Sequence, residues 1–374
     1  MRLVNKGSYG KIYDNGENVN GTIVKEICLF KNNTICSSTL RELNMYGLLS
    51  SNKSNNNIIK TTDIHFKKDK VYLTMENGGK TLSVWLQENS QTVPHNFLNI
   101  FKGIINALYH INNLGYVHGD IKPDNIVIGK NMEPKLIDFG ASIPYGKITS
   151  YCMCTKLFRD PLLSDNNCVY NEKSDIFSLA LVLGYIVSSK YFINENNEYN
   201  YIYFCETING VSYLSEEMKK IIISMGNVSF DIRPTYQKII NFLDIENIGN
   251  ENIGNENIGN ENIGNELEDE NKENKENKDI PPYVKNYISN ALRRLDFEEY
   301  IEPSLQTFKK LYDIDINYSS KLYISIIFIL KIIYFDRMNI YVQNINNFFP
   351  LPYTIGEIKN SIIDIIVKLN LKIY

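Results

Sequence analysis

Between Glu246 and Asn265 the unit Glu-Asn-Ile-Gly-Asn occurs four times without variation, and Glu266 to Asp279 continues in Glu, Asn and Lys. No other feature constrains the fold as much. Asp244 to Asp279 holds twelve acids against three lysines, a net of −9; the whole chain is −4, so the remainder is +5. Such a tract offers too little apolar surface to offset the entropy of ordering it, so a disordered acidic linker is expected over 244–279. It splits the 374 residues into one region of 1–243 and another of 280–374. The first is large enough for a sizeable core.

The whole chain, 43% hydrophobic and 22% charged, reads as an ordinary globular protein. No apolar run approaches the roughly 18 residues of a membrane span; Leu322 to Leu330 is stopped by Lys331. The start, Met1-Arg2-Leu3-Val4, has no signal-peptide core. Six scattered cysteines read as reduced thiols of an intracellular protein, cytoplasmic with a nuclear site left open. Cys152-x-Cys154 has no second ligand pair, so no zinc site is expected. No basic patch suggests nucleic acid, and no membrane contact is expected.

Strand-like runs come first: Thr22 to Val24, Asp63 to Phe66 and Val71 to Met75. An early helix is expected around Thr39 to Tyr46. Phe97, Ile100, Phe101, Ile104, Ile105, Leu108 and Ile111 then fall at helical spacing, and Ser174 to Ser188 reads as another helix. His95 is expected just before a helix, as a cap, and Pro234 in a helix's first turn. The fold class is therefore α+β, a small β-rich lobe followed by a larger helical lobe with a cleft between them.

The chemistry concentrates in His118-Gly119-Asp120-Ile121-Lys122-Pro123-Asp124-Asn125, followed thirteen residues later by Asp138-Phe139-Gly140. This stretch resembles the catalytic loop and Asp-Phe-Gly motif of the eukaryotic serine/threonine protein kinases. Phosphoryl transfer, the reaction the resemblance implies, needs positioning and charge neutralisation. In that resemblance Asp120 would orient an attacking hydroxyl and accept its proton, Lys122 would meet the transferred phosphate, and Asn125 and Asp138 match the family's pair of hard-oxygen ligands to Mg²⁺. The resemblance covers about residues 2–243 and implies a two-lobed kinase fold that uses ATP and Mg²⁺ on a protein substrate.

Further stretches match in order. Val4-Asn5-Lys6-Gly7-Ser8-Tyr9-Gly10-Lys11-Ile12 resembles the glycine-rich loop over ATP phosphates, with Val4, Gly7, Gly10 and Ile12 at its key positions. Lys25 matches the strand lysine of the α/β-phosphates, and Glu42 its helix partner. Met75-Glu76-Asn77-Gly78 resembles the hinge that binds adenine, with Met75, Glu76 and Gly78 contacting the nucleotide. Thr155 and Phe158 to Leu162 resemble the substrate-positioning loop and Ala-Pro-Glu motif. Asp175 resembles the residue bracing the catalytic loop, and Arg233 that of the late Arg-Pro motif.

Three departures carry expectations of their own. Gly119 stands where an Arg usually meets an activation phosphate, so that switch should not be needed. Leu162 stands where a Glu usually pairs with the late Arg, which predicts an Arg233 without its partner and a looser substrate loop. Asn5 replaces a loop glycine, with the left-handed tolerance of Asn invoked to keep the loop.

His-Gly-Asp also occurs in small-molecule phosphotransferases, and a catalytically dead pseudokinase scaffold is the third reading. Lys122, Ser174 to Leu179 and Arg233-Pro234-Thr235 favour a protein substrate. Helical spacing continues through Tyr283 to Leu295, Tyr300 to Tyr312, Ser320 to Tyr334 and Ile355 to Leu369. A small all-α domain is expected over 280–374; its helix order and Thr354 to Ile358 resemble a cyclin-type box. The alternative is a helical domain for an unspecified protein partner.

Overall fold

The computed structural model describes residues 2–7, 10–14, 21–52, 54–149, 152–163, 168–251, 354–369 and 371, with isolated residues at 289, 302, 305 and 306. The chain opens as a sheet: β1 (Arg2–Gly7), β2 (Gly10–Asp14), β3 (Thr22–Cys28), the short pair β4 (Phe30–Lys31) and β5 (Thr34–Ile35), helix α1 (Ser37–Ser50), then β6 (Thr61–Lys67) and β7 (Lys70–Glu76). The five long strands are antiparallel in the order β1-β2-β3-β7-β6. In β7 the side chains alternate, with Val71, Leu73 and Met75 buried. That is the period-2 pattern of a strand with one face on a core.

The second lobe is helical. It runs β8 (Lys80–Thr81), α2 (Leu82–Asn89), α3 (Val93–Asn113), β9 (Tyr116–Val117), β10 (Ile126–Ile128), β11 (Pro134–Leu136), β12 (Ile143–Pro144), β13 (Ile148–Thr149) and β14 (Cys168–Val169), then α4 (Ser174–Ser188), α5 (Tyr201–Asn209), α6 (Glu216–Met225) and α7 (Tyr236–Glu251). The seven apolar residues expected on one face of α3 are all buried. Helix α4 is buried nearly all round, which makes it the axis of the lobe. The two-lobed fold expected from the sequence is present.

Some boundaries differ from expectation. Helix α3 begins at Val93 with Pro94 in its first turn, so His95 lies inside the helix and caps nothing. Pro234 precedes α7. Helix α7 itself continues to Glu251, into the repeat. The remaining repeat and the helices expected within 283–334 lie outside the described residues, apart from isolated positions. Among the described residues no helix is long and apolar enough to cross a membrane.

One helix of the C-terminal region is described, α8 (Ile355–Lys368). It starts at a full capping box: Thr354 Oγ1 accepts from Glu357 N at 3.2 Å, and Thr354 N donates to Glu357 Oε2 at 2.8 Å. Ile358, Ile362, Ile365 and Ile366 form a fully buried stripe at helical spacing. Lys359 reaches the β-lobe, 2.7 Å from Asp69 Oδ1 in the β6–β7 turn and 5.1 Å from the ring centre of Phe30.

Candidate active site

The loop around Asp120 is held by protein groups. His118 and Gly119 donate their backbone N–H groups to the two carboxylate oxygens of Asp175, at 2.6 and 3.0 Å. Asp175 is 2% exposed, and burial pushes its pKa up; these donors and His118 oppose that shift. His118 Nε2 lies 3.0 Å from Ile137 O, its Nδ1 accepts from Asp120 N at 3.3 Å, and its ring packs on Phe139. His118 therefore supports the loop.

Asp120 sits at the centre, 4% exposed. Its Oδ1 accepts from Thr155 N and Thr155 Oγ1, both at 2.8 Å. Its Oδ2 accepts from Lys122 Nζ at 2.6 Å and Asn125 Nδ2 at 3.1 Å. Asn125 Nδ2 also reaches Asp120 O at 2.8 Å, and Lys122 Nζ also reaches Thr155 Oγ1 at 2.9 Å. Because the amide nitrogen of Asn125 is committed to Asp120, its carbonyl oxygen is the atom left to meet a cation.

The second group joins the lobes. Lys25 Nζ lies 2.5 Å from Glu42 Oε1 and 3.4 Å from Asp138 Oδ1. Burial alone would lower the pKa of the Lys25 ammonium; Asp138 and Glu42 outweigh it and raise it above the ordinary lysine value. Burial would raise Asp138, but Lys25 and the Gly140 N–H hold it below its ordinary 3.8. Burial wins at Glu42, which is raised in spite of Lys25. Asp138 adopts φ +65°, a left-handed conformation rare for its type and of the kind that clusters at functional sites. Asp120 and Asp138 line one cavity with Arg41, Gly140, Ala141 and Met153.

Two residues of α1 complete this link and were not singled out in the sequence. Tyr46 donates its hydroxyl to Glu42 Oε1 at 3.1 Å and packs edge-on against Phe139 at 5.6 Å. Arg41, 1% exposed, donates Nε to Gly140 O at 2.7 Å. The i, i+4 spacing of Glu42 and Tyr46 was the available signal.

The other expected positions fall as follows. Gly7 and Gly10 face each other at the end of the β1–β2 hairpin; Ser8 and Tyr9 between them lie outside the described residues. A Cβ at Gly10 would meet Glu26 O at 2.4 Å, so the strand pairing itself requires glycine there. Asn5 pairs with Ile12 in β1, with an irregularity in register between Leu3 and Asn5. The position is accommodated by a strand bulge, a local device for re-aiming backbone. Val4 is exposed and Ile12 half-buried. Met75 is buried, Asn77 N donates to Gly21 O at 2.7 Å, and the Glu76 carboxylate turns to Lys135 Nζ at 2.9 and 3.0 Å. Gly78 abuts Val127, where a Cβ would come within 2.4 Å.

One expectation is overturned. Arg233 has a carboxylate partner, Asp160, two positions before the exposed Leu162. Its Nη1 and Nη2 bind Asp160 Oδ2 and Oδ1 at 2.5 and 2.8 Å, with both side chains at 0% exposure. The turn at Asp160 explains the exchange: Leu163 N donates to Asp160 O and Leu162 N to Asp160 Oδ1, which carries Leu162 outward and Asp160 inward. The stretch around Asp160 is thus held by a buried bidentate ion pair.

Gly119 also has a local reason. It adopts φ +80°, and a Cβ there would lie 2.6 Å from Ala141 O. A side chain at this position meets backbone and not merely an empty phosphate site.

Comparison with known proteins shows the family of the chain. The family model described as "Protein kinase domain" matches residues 1–242. The chain belongs to the protein kinase domain family. Sperm motility kinase 3A of Mus musculus is 33% identical over 138 residues, which is 36% of this chain and 27% of that protein. A probable serine/threonine-protein kinase of Dictyostelium discoideum is 31% identical over 144 residues, 38% of this chain and 31% of its own. The CTD kinase subunit alpha of Schizosaccharomyces pombe is 28% identical over 203 residues, 52% and 34% respectively. The chain thus spans about a third or less of the length of these relatives.

Proposed function

We propose that the chain is a serine/threonine protein kinase that moves the γ-phosphate of ATP to protein hydroxyls with Mg²⁺. One observation carries this reading: the Asp120 carboxylate gathers Lys122, Asn125 and Thr155, and Asp138, linked to Lys25 and through it to Glu42, lines the same cavity as Asp120. The donor set fits the metal. Mg²⁺ takes one or two protein oxygens and completes its shell with phosphates and water, which the Asp138 carboxylate and Asn125 carbonyl allow. Bound there, the ion would neutralise charge on the phosphates.

In this reading Asp120 orients the incoming hydroxyl and takes its proton. Lys122, held between Asp120 and Thr155, is placed to offset charge on the transferred phosphate. Lys25 holds the α/β-phosphates, aimed by Glu42, and Gly7 and Gly10 let backbone N–H groups approach the phosphates. Met75, Glu76 and Gly78 offer the adenine backbone groups. Asp160 and Arg233 fix the loop that presents the substrate. The C-terminal region is the proposed place for a protein partner.

The test is transfer of labelled γ-phosphate from Mg-ATP to basic and acidic proteins, beside Asp120→Asn, with phosphoamino acids identified. Phosphoserine or phosphothreonine lost in the variant is the expected result. Label appearing only on added small molecules would overturn the protein-substrate reading. ATP binding with no transfer to either would point to a scaffold.

A further inference from the structure

Glu76 ends β7, where the chain leaves the β-lobe, and Lys135 is the middle residue of β11 in the helical lobe. In β11 Pro134 and Leu136 are buried, and Lys135 takes the opposite face, as the period of a strand dictates. The Lys135 ammonium lies 2.9 Å from Glu76 Oε1 and 3.0 Å from Glu76 Oε2. The lysine side chain is 13% exposed and the glutamate 31%, so solvent screens the pair only in part.

The pair closes a ring. Lys60 N donates to Glu76 Oε1 at 2.8 Å, and Glu76 N donates to Lys60 O at 3.0 Å. One residue back, Ile59 N donates to Leu136 O at 3.0 Å, and Leu136 N donates to Asn57 O at 2.8 Å. The circuit runs from Glu76 through Lys60, Ile59, Leu136 and Lys135 and returns to Glu76. Of its links, the ion pair alone joins two side chains, so a substitution can open it there and leave the backbone bonds in place. The ring also meets both ends of the cleft. Glu76 belongs to the hinge. Strand β11 pairs with β10, setting Leu136 opposite Ile126, and Ile137 N donates to Asn125 O at 3.0 Å. Asn125 precedes β10 and Asp138 follows Leu136 by two residues, so both stand at the open end of the hairpin that the ring grips.

We propose that Lys135 is a positioning residue: it ties the hinge at Glu76 to the hairpin that carries Asn125 and Asp138, and so sets the span between the adenine end and the phosphate end of the cleft. This rests on the function proposed above. The ammonium is directed at Glu76 and acts through it. A ligand that engages both ends feels the span, whereas a ligand that engages one end does not. Holding the span in advance spares the nucleotide the cost of setting it on binding.

The test is calorimetric binding of Mg-ATP and of adenosine to the full chain and to Lys135→Met, Lys135→Arg and Glu76→Gln, with urea midpoints measured beside them. In Lys135→Met the dissociation constant of Mg-ATP should rise about fivefold, the upper end for a pair of this exposure, while that of adenosine changes by less than about 1.5-fold. Lys135→Arg keeps the charge and two donors and should restore Mg-ATP binding to within about twofold. Glu76→Gln keeps an acceptor for Lys60 N and should match Lys135→Met, and the double variant should be no weaker than either. Equal weakening of both ligands, a lower urea midpoint with neither affinity changed, or losses that add in the double variant would overturn the proposal. A parent chain that binds neither ligand would overturn it together with the function it rests on. A parent chain that binds Mg-ATP, beside a Lys135→Met chain that binds it equally, would overturn the proposal alone. Glu76→Gln is nearly isosteric and is read in the same way, so misfolding of Lys135→Met cannot rescue the idea.

Discussion

Asp160→Ala is the perturbation whose cost can be worked most fully from the structure. Arg233 directs Nη1 and Nη2 to Asp160, Nε to Asn227 O at 2.7 Å, and Nη2 also to Val228 O at 3.3 Å; its guanidinium lies 4.7 Å from the Phe177 ring centre. Removing Asp160 leaves a full positive charge at 0% exposure with two carbonyls, a ring face and, among the described residues, no other ion-pair partner. Breaking a buried pair in this way costs about 3–5 kcal/mol. Total stability is of order 5–15 kcal/mol, so the loss is large but survivable. The assay is urea unfolding followed by the fluorescence of Trp85, the chain's single tryptophan, buried in α2 of the same lobe. With a slope of about 3 kcal/mol per M urea, the midpoint should fall by roughly 1–1.7 M. Arg233→Ala and the double variant complete a cycle, in which the coupling should reach about 2 kcal/mol. A midpoint shift under about 0.3 M with no coupling would refute the assignment and return Arg233 to the unpartnered state expected from Leu162.

Four further outcomes are expected. Gly119→Arg should lower stability by about 1–3 kcal/mol, read as a lower Tm, because φ +80° and Ala141 O oppose any side chain; unchanged stability would refute the strain. Lys25→Met should abolish ATP-dependent transfer while circular dichroism stays native; retained transfer would remove Lys25 from the nucleotide site. Ile362→Ala, at a fully buried position of α8, should cost about 2–5 kcal/mol, seen as faster amide exchange along that helix. Asp138 has a lowered folded pKa, so its contribution is present above its ordinary 3.8 and is lost as pH falls below that value through the folded pKa. Acid titrations of stability should therefore be flatter in Asp138→Asn than in the parent, and identical curves would refute the coupling to Lys25.

The parts legible in the sequence were those set by local chemistry. The one-sided apolar spacing of α3 announced a buried face, and the alternation of Val71, Leu73 and Met75 announced a strand. The separation of Asp120, Asn125 and Asp138 announced the protein kinase family to which residues 1–242 belong. Contacts chosen by a turn or by docking were not legible. Asp160 took the place expected of residue 162 because a two-residue turn, invisible to spacing, swaps which side chain points inward. Tyr46 could be placed on the face of Glu42 by i, i+4 spacing, but nothing local said that this face would meet Phe139. Arg41 reads as a surface arginine until α1 is set against Gly140. The capping box at Thr354 was readable in the letters Thr-Ile-Gly-Glu, whereas the meeting of Lys359 with Asp69 was not.

That meeting has a consequence in time. Lys359 and Asp69 are 290 positions apart. A ribosome adding roughly 5–20 residues per second makes the second about 15–60 s after the first. The β6–β7 turn and Phe30 leave the ribosome well before the helix that reaches them. During synthesis, that face of the β-lobe is open to chaperones and to other nascent chains, and the arrival of α8 closes the interval.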